Sequence, residues 1–353
     1  MRRQASAIAG DASVRVPVKN THHTMHTTVH HTPKTICLGL DIAKAKLDAC
    51  LLHSGKRHRA QFDNTPAGLR ALLAWLRPLH DGPLPVIMES TGSYSLLAAT
   101  VLYEAGHAVS VLNPRWIKDH ARSDGRRNKT DTLDAEIIAH YGLTHDPDLW
   151  QPASPAQAAL RALLRRLAAL GELAQMEARR AETSDAVVGK SIARLQKHIA
   201  RETAAIEAAI AEHLAANPTL HADCERLCAI PGIGLKTARW LVAELPRHLP
   251  NSRTAAAWCG LTPRLSQSGS SVRGASSIGR EGNRFLRKIL YMPALVARRA
   301  NPRLKAFADS LEARGKSKMS ALLAVEHKLL RHAFALLKHQ SAYDPNHHPL
   351  NHS

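Results

Sequence analysis

Aromatic residues make up only 4% of the 353 residues. A chain so poor in Phe, Tyr and Trp is not built to hold nucleic acid chiefly by stacking bases on ring platforms. Cysteine is scarce and odd in number, with Cys37, Cys50, Cys224, Cys228 and Cys259 widely spaced. That pattern excludes a disulfide framework and fits a reducing compartment. Cys224 and Cys228 stand at i, i+4, but no second ligand pair follows, so they read as small core residues and not as a zinc site. No apolar run reaches the length of a membrane span. Arg2 and Arg3 have no apolar core behind them, so the start does not read as a secretory signal. Acids are also in deficit: 29 Asp and Glu face 48 Lys and Arg, a formal charge of +19. Such an excess implies a polyanionic partner, nucleic acid first, against the plainer reading of a solvated basic surface. With few rings and much positive charge, contacts to the backbone of a duplex fit best. The expectation is a cytoplasmic, nucleoid-associated protein.

What is present is enough apolar residue, 44%, to fill the cores of two or three domains. Residues 1–33 are rich in Thr and His, show no period and read as a disordered extension, with Met25 as a second candidate start. The first folded unit is expected over 34–150. Ile36 to Ile42, Leu47 to Leu52 and Arg57 to Phe62 read as strands, with a turn at Ser54-Gly55. Thr65-Pro66 starts a helix, Pro85 to Glu89 is another strand, Leu96 to Ala105 a helix, and Ala108 to Asn113 a strand closed by Pro114. After a basic loop comes a helix headed by Asp131 and Asp134. Three strands without an intervening helix, followed by alternation, predict an α/β domain on a mixed sheet.

Four acids in this unit sit at element ends. Asp41 and Glu89 close buried strands, where ligands collect in α/β sheets. Asp131 and Asp134 are three residues apart and share a helix face, with Arg126, Arg127 and Lys129 just upstream. Acids for a metal beside cations for a phosphate are what phosphodiester chemistry needs. An all-carboxylate set suits Mg²⁺, and no His or Cys has zinc spacing. The plainer reading is a solvated helix start, where the helix dipole favours Asp.

A linker at about 144–156, holding Pro147, Pro152 and Pro155, leads into the region 151–222. Leu160, Leu163, Leu167 and Leu170, then Ile192, Leu195 and Ile199, then Ile206, Ile210 and Leu214 form narrow apolar stripes, broken near Gly189. They predict two long helices, a coiled-coil hairpin or a plain bundle, for architecture or dimerisation. Residues 223–340 open with Ile230-Pro-Gly232-Ile-Gly234 before Lys236, the hairpin of a helix-hairpin-helix. Its glycines let backbone N–H groups face a phosphate, unless the segment is simply a tight turn. A Ser/Gly-dense loop, Gln267 to Gly274, is ringed by Arg264, Arg273, Arg280, Arg284, Arg287 and Lys288. By composition it is a flexible linker; by setting, its serines hold phosphate or attack it. Nothing local supplies a base to activate them. Asn283 to Leu290 and Pro302 to about His339 read as helical, and 341–353 as a loose tail.

Taken together, Gly39-Leu-Asp41-Ile-Ala-Lys44, Glu89-Ser-Thr-Gly-Ser-Tyr94, Asn128-Lys-Thr-Asp131-Thr-Leu-Asp134, Ile230-Pro-Gly-Ile-Gly234 and Gly260-Leu-Thr-Pro-Arg264 leading to Ser268-Gly269 resemble the DEDD-type transposases of bacterial insertion sequences. This is the Piv-like, bridge-RNA-guided recombinase family, and the resemblance covers about 35 to 340. It implies a RuvC-like, RNase H-type first domain, a coiled-coil middle and a transposase domain with a catalytic serine. By motif, Asp41, Glu89, Asp131 and Asp134 would hold Mg²⁺. Ser268 would attack a DNA phosphodiester and form a phosphoserine link, with Ser266, Ser270 and Ser271 inseparable from it by residue chemistry. The nucleic-acid-binding set would be Arg127, Lys129, Gly232, Gly234, Lys236, Arg264, Arg273, Arg284 and Arg287. The implied partners are donor and target duplex DNA, a structured guide RNA and further copies of the chain. Two rival readings remain: a metal-only junction nuclease without a covalent intermediate, and a non-enzymatic nucleic-acid-binding protein.

Overall fold

The computed structural model describes residues 34–92, 94–123, 131–264, 267–268, 272–273, 277–278 and 282–345. The extension 1–33, Arg127, Lys129, Ser266, Ser270, Ser271 and the tail from 346 lie outside them. Two compact units divide the chain between Trp150 and Gln151.

In the first unit, residues of one parity along the strands are buried under one pair of helices and the rest under another. The strands are β1 (Ile36–Ile42), β2 (Lys46–His53), β3 (Lys56–Asp63), β4 (Pro85–Glu89) and β5 (Ala108–Leu112). They form one mixed sheet in the order β3-β2-β1-β4-β5. The first three are antiparallel; β1, β4 and β5 are parallel. This is the expected α/β unit on a mixed sheet. Leu38, Leu40, Ile42, Val86 and Met88 pack under α1 (Pro66–Leu76) and α2 (Tyr94–Glu104). Thr65 caps α1 by accepting from the Gly68 N–H at 3.1 Å.

The opposite face holds Cys37, Ile87 and Leu112 under α3 (Pro114–Ser123) and α4 (Asp131–Thr144). Helix α3 differs from expectation, because Pro114 starts a helix instead of merely closing a strand. Proline fits the first helical turn, and the Asn113 side chain caps it by accepting from the Arg115 N–H at 3.0 Å. One buried side chain, Ile117, anchors the helix.

The second unit is helical. Its first helices are α5 (Pro155–Ala181) and α6 (Ala186–Ala215). The break falls at 182–185, not at Gly189, because Asp185 caps α6 by accepting from the Val187 and Val188 N–H groups. Next come α7 (Pro218–Cys228), α8 (Leu235–Glu244) and α9 (Ser252–Trp258). Leu160, Leu164, Ile210 and Leu214 join the core that contains Trp240 and Leu241, so the base of the long hairpin is part of that core. Arg165 of α5 donates to Glu244 of α8 at 3.0 Å, fixing the junction. Cys224 is buried, but Cys228 is exposed and not the core residue expected, since it lies at the last turn of α7.

Helix α10 (Arg284–Ala300) runs well past Leu290, through Pro293. The proline is buried, and Leu286, Leu290, Ala294 and Ala297 pack beside it, outweighing the lost backbone bond. Asn301 then caps α11 (Pro302–Ala313), and α12 (Lys318–His339) closes the unit. Asn301 also donates to the Tyr343 hydroxyl at 2.9 Å, so Tyr343 is docked and not part of a loose tail. No described helix is long and apolar enough to cross a membrane.

Candidate active site

The acids of the first unit are placed by strand register. Gly39 pairs with Ile87 and Leu40 with Met88 in the parallel ladder. One residue further, Asp41 and Glu89 stand side by side at the C-terminal ends of β1 and β4. Neighbouring strands lie about 4.8 Å apart, and side chains two apart share a face. Ile87 belongs to the α3/α4 core, so Glu89 points to that face; Asp41 follows Gly39 to the same side.

Helix α4 lies across this face, antiparallel to β1. A Cβ added to Gly39 would stand 2.2 Å from the Ala135 carbonyl oxygen and 2.4 Å from the Ala139 nitrogen. One added to Gly142 would stand 2.3 Å from the Cys37 sulfur. The two glycines therefore let helix and strand touch backbone to backbone at two points. Because 142 lies over 37 and 135 over 39, the start of α4 lies over the Asp41 end of the strand. Asp131 is the first residue of α4 and Asp134 follows one turn on, half-buried like Asp41 and Glu89.

Two further groups were not singled out from the sequence. Asp48 pairs with Asp41 across the β1–β2 ladder and accepts from the Gln61 side chain at 2.8 Å. Like charges directly opposite on a sheet repel, so this pair raises the negative potential beside Asp41. The signal was available: strands joined by a tight turn at 43–46 must bring 41 opposite 48. Glu136, 4% exposed, accepts from Arg57 at 3.0 Å and from Arg59, both on β3. This ties α4 to the edge strand. Burial pushes the Cys50 thiol up, and the Glu136 carboxylate adds to that push.

Among the described side chains, which include Asp41, Glu89 and Asp134 but not Asp131, no three His, Cys, Asp or Glu form a metal-binding group. The donor chemistry nonetheless fits one hard cation. Three carboxylates from three elements share one face and one end of the sheet, with no soft ligand among them.

In the second unit the serine-rich segment is not a plain linker. Strand β6 (Pro263–Arg264) pairs with β9 (Ser277–Ile278), and inside that pair β7 (Gln267–Ser268) meets β8 (Val272–Arg273). Gln267 stands opposite Arg273, and Ser268 opposite Val272. The base is pinched shut, since a Cβ on Gly282 would stand 2.4 Å from the Gly260 nitrogen. Ser268 thus sits in the inner pair of a nested hairpin. Arg284, exposed, opens α10 directly after it. Arg287 is half-buried and donates to the Cys259 carbonyl at 2.9 Å, so part of its role is to hold the hairpin base.

The Pro-Gly-Ile-Gly segment joins α7 to α8 as expected of a hairpin between helices. Gly232 has φ +105°, and a Cβ there would stand 2.6 Å from that of Ala297. This glycine serves a turn and a close approach to α10. Gly234 is the N-cap of α8, has open space around it and makes no side-chain cap. Lys236, exposed, follows in the first turn. That helix start offers N–H groups beside a cation.

Comparison with known proteins places both units. Residues 38–183 match a family model described as Transposase, of the DEDD type named for IS110. Residues 224–309 match the Transposase IS116/IS110/IS902 family. The chain is 31% identical over 316 residues to the pilin gene-inverting protein of Moraxella bovis, covering 88% of this chain and 98% of that one. Identity and coverage are the same for the pilin gene-inverting protein of Moraxella lacunata. An uncharacterized 43.6 kDa protein of insertion element IS110 from Streptomyces coelicolor is 30% identical over 160 residues, 45% of this chain and 38% of that protein. With both units matched and the two Moraxella relatives aligned over nearly their whole length, the chain belongs to the IS116/IS110/IS902 family of transposases, and it is a DNA transposase or recombinase.

Proposed function

We propose that this transposase cuts and rejoins duplex DNA through Ser268, with Asp41, Glu89, Asp131 and Asp134 holding Mg²⁺. One observation carries the reading: Asp41 of β1, Glu89 of β4 and Asp134 of α4 lie at one face and one end of the sheet. Bound there, Mg²⁺ would supply positive charge for the phosphate and lower the proton affinity of an attacking hydroxyl. The first unit is read as RuvC-like, an RNase H-type fold, supported by the DEDD family match and the mixed sheet.

The Ser268 hydroxyl attacks phosphorus. The Oγ–P bond forms as the bond to a sugar oxygen breaks, and the serine proton leaves with the released sugar hydroxyl. Reversal against a hydroxyl from another strand rejoins the DNA and frees the serine. Arg127, Lys129, Lys236, Arg264, Arg273, Arg284 and Arg287, with the backbone at Gly232 and Gly234, hold the sugar-phosphate chain. The two Moraxella relatives are named for inverting a pilin gene, and inversion is the same strand exchange between two sites of one molecule. A structured guide RNA supplies target choice by base pairing, which suits a formal charge of +19. The active form is a homo-oligomer, supported by the α5–α6 hairpin and by Val187, Val188 and Leu195, which are exposed on α6. The working domains are 34–150, 151–222 and 223–340, in the cytoplasm.

The test is a denaturing gel of protein, Mg²⁺, RNA from the flanks of the gene and labelled target DNA. Wild type should give label at protein size, and Ser268→Ala and Asp131→Asn should not. Cut DNA without that band, in wild type and Ser268→Ala alike, would replace this reading with a metal-only nuclease. Binding without cutting in every protein would replace it with a binding protein.

A further inference from the structure

Among the described residues of the second unit, Asp223, Glu177 and Glu244 are buried carboxylates paired with arginines, and Glu326 is a further one that no motif explains. It lies on α12, 1% exposed, among Leu322, Val325, Leu329 and Leu330. Its Oε1 is buried and has no hydrogen-bond partner. A buried polar oxygen left unpaired costs about 1–3 kcal/mol, and an apolar side chain would fill the place at no such cost. Such a group in a native fold calls for a partner from outside the chain, and a ligand in an adjoining cavity is one that can supply it.

The surroundings indicate the ligand. Glu326 faces a cavity of about 340 Å³, lined also by Ile278, Arg287, Lys288, Tyr291 and Leu323. Ile278 belongs to β9, the outer strand of the hairpin that carries Ser268. Arg287 and Lys288 bring two positive charges, and the Tyr291 hydroxyl is a donor. Ile278 and Leu323 are apolar walls. Two cations, a hydroxyl and apolar walls suit a phosphate monoanion flanked by a sugar.

We propose that this cavity is a phosphodiester-binding pocket, in which Arg287 and Lys288 take one phosphate of a nucleic-acid backbone and the Glu326 carboxyl hydrogen-bonds to it. The proposal rests on the reading that α10 meets nucleic acid. A carboxyl can donate to a phosphate only while it carries a proton. Burial pushes that of Glu326 up to about 7, against a smaller downward pull from Arg287. Among the described residues, the titratable groups facing it are Arg287, Lys288 and Tyr291 on α10 and Cys259 after α9. The Cys259 thiol is itself pushed up to about 12 by burial and stays neutral. The pocket therefore binds backbone at or below neutral pH and rejects it as Glu326 ionises. Binding is coupled to uptake of one proton.

The experiment measures affinity of the full chain for a duplex DNA and for an RNA hairpin, at about pH 6 and about pH 8. Wild type, Glu326→Gln and Glu326→Leu are compared, each first shown to be folded by circular dichroism. Wild-type affinity should fall about tenfold further across this range than that of Glu326→Gln, one pK unit being a factor of ten. Glu326→Leu removes the buried charge as Glu326→Gln does, but it has no donor, and it should bind several-fold more weakly than Glu326→Gln at both pH values. A purely structural role would leave those two variants alike. Equal slopes in wild type and Glu326→Gln, or equal affinities in Glu326→Gln and Glu326→Leu, overturn the pocket while leaving the proposed function standing. No binding of either nucleic acid by wild type overturns both. A slope difference seen with one probe alone identifies DNA or RNA as the source of the phosphate.

Discussion

Gly39 of β1 lies so close beneath Ala135 of α4 that a Cβ on Gly39 would stand 2.2 Å from the Ala135 carbonyl oxygen. The obstacle is helix backbone, which cannot swing aside as a side chain tip would. Gly39→Ala must therefore lift α4 from the sheet at the turn that carries Asp134. Overpacking of this kind costs about 1–3 kcal/mol, and more where backbone must move. Urea unfolding should show that loss. Strand exchange should fall at least tenfold beyond what the lost stability explains, because a misplacement of about 1 Å can cost 10²-fold in rate. Full activity in a folded Gly39→Ala protein would mean that the α4 register does not set the site.

Glu136 offers a gentler way to loosen the same helix. Its carboxylate is buried, while Arg57 and Arg59 are 59% and 40% exposed. Glu136→Ala should cost about 1–3 kcal/mol, less than a fully buried pair, since water screens the arginines once they lose their partner. The check is a comparison with Arg57→Ala. That single change should cost under about 1 kcal/mol, because Arg59 still holds the carboxylate.

How much of this could be read beforehand depends on the kind of signal. The five strands were legible because Leu38, Leu40, Val86 and Met88 repeat a burial pattern within each segment. Helix α3 was not, because Arg115, Lys118, Asp119, His120 and Arg122 leave Ile117 as its one buried side chain, too few for a period. The hairpin at Ser268 was hidden for another reason: strands of two residues carry no alternation, and pairing is a matter of register. For the candidate site, the acids at element ends were visible as residue types. Their common face was not, since it follows from Gly39 and Gly142 allowing close contact. Glu136 and Glu326 carry no signal of their own in the sequence, since packing alone buries them.

Gly171 should respond in the opposite way to Gly39. It lies within α5, and a Cβ there would meet nothing within 4 Å. Alanine is a better helix former than glycine by about 1 kcal/mol. Gly171→Ala should raise the unfolding midpoint without changing activity. A loss of stability would show that a partner, such as another copy of the chain, covers that face of α5.

Thiol labelling separates the cysteines. Cys37, Cys224 and Cys259 are buried, and burial pushes each thiol up to about 12. At about pH 8 almost none of these is thiolate, the reactive form. Cys50 is buried as well, and Cys228 alone of the five is exposed. A maleimide should label one cysteine in the native protein and five after denaturation, with Cys228→Ala removing the fast site. A second fast site would locate an opening of the native core.

Glu326 also makes a prediction about stability that does not involve nucleic acid. Its folded value of about 7 lies above the ordinary carboxyl value of 4.5, so the folded state holds the proton more tightly than the unfolded chain. For a carboxyl raised on folding, stability is greatest below the unfolded value. It is lost as pH rises from about 4.5 to about 7, then stays level. The full loss is on the order of 3 kcal/mol. Glu326→Gln keeps the shape and cannot ionise, so it should match wild type near pH 5 and exceed it increasingly up to about pH 8. Urea unfolding of both proteins across that range is the measurement. A difference that stays constant from pH 5 to 8 would mean that folding leaves the proton affinity of the carboxyl unchanged, with Arg287 offsetting the burial.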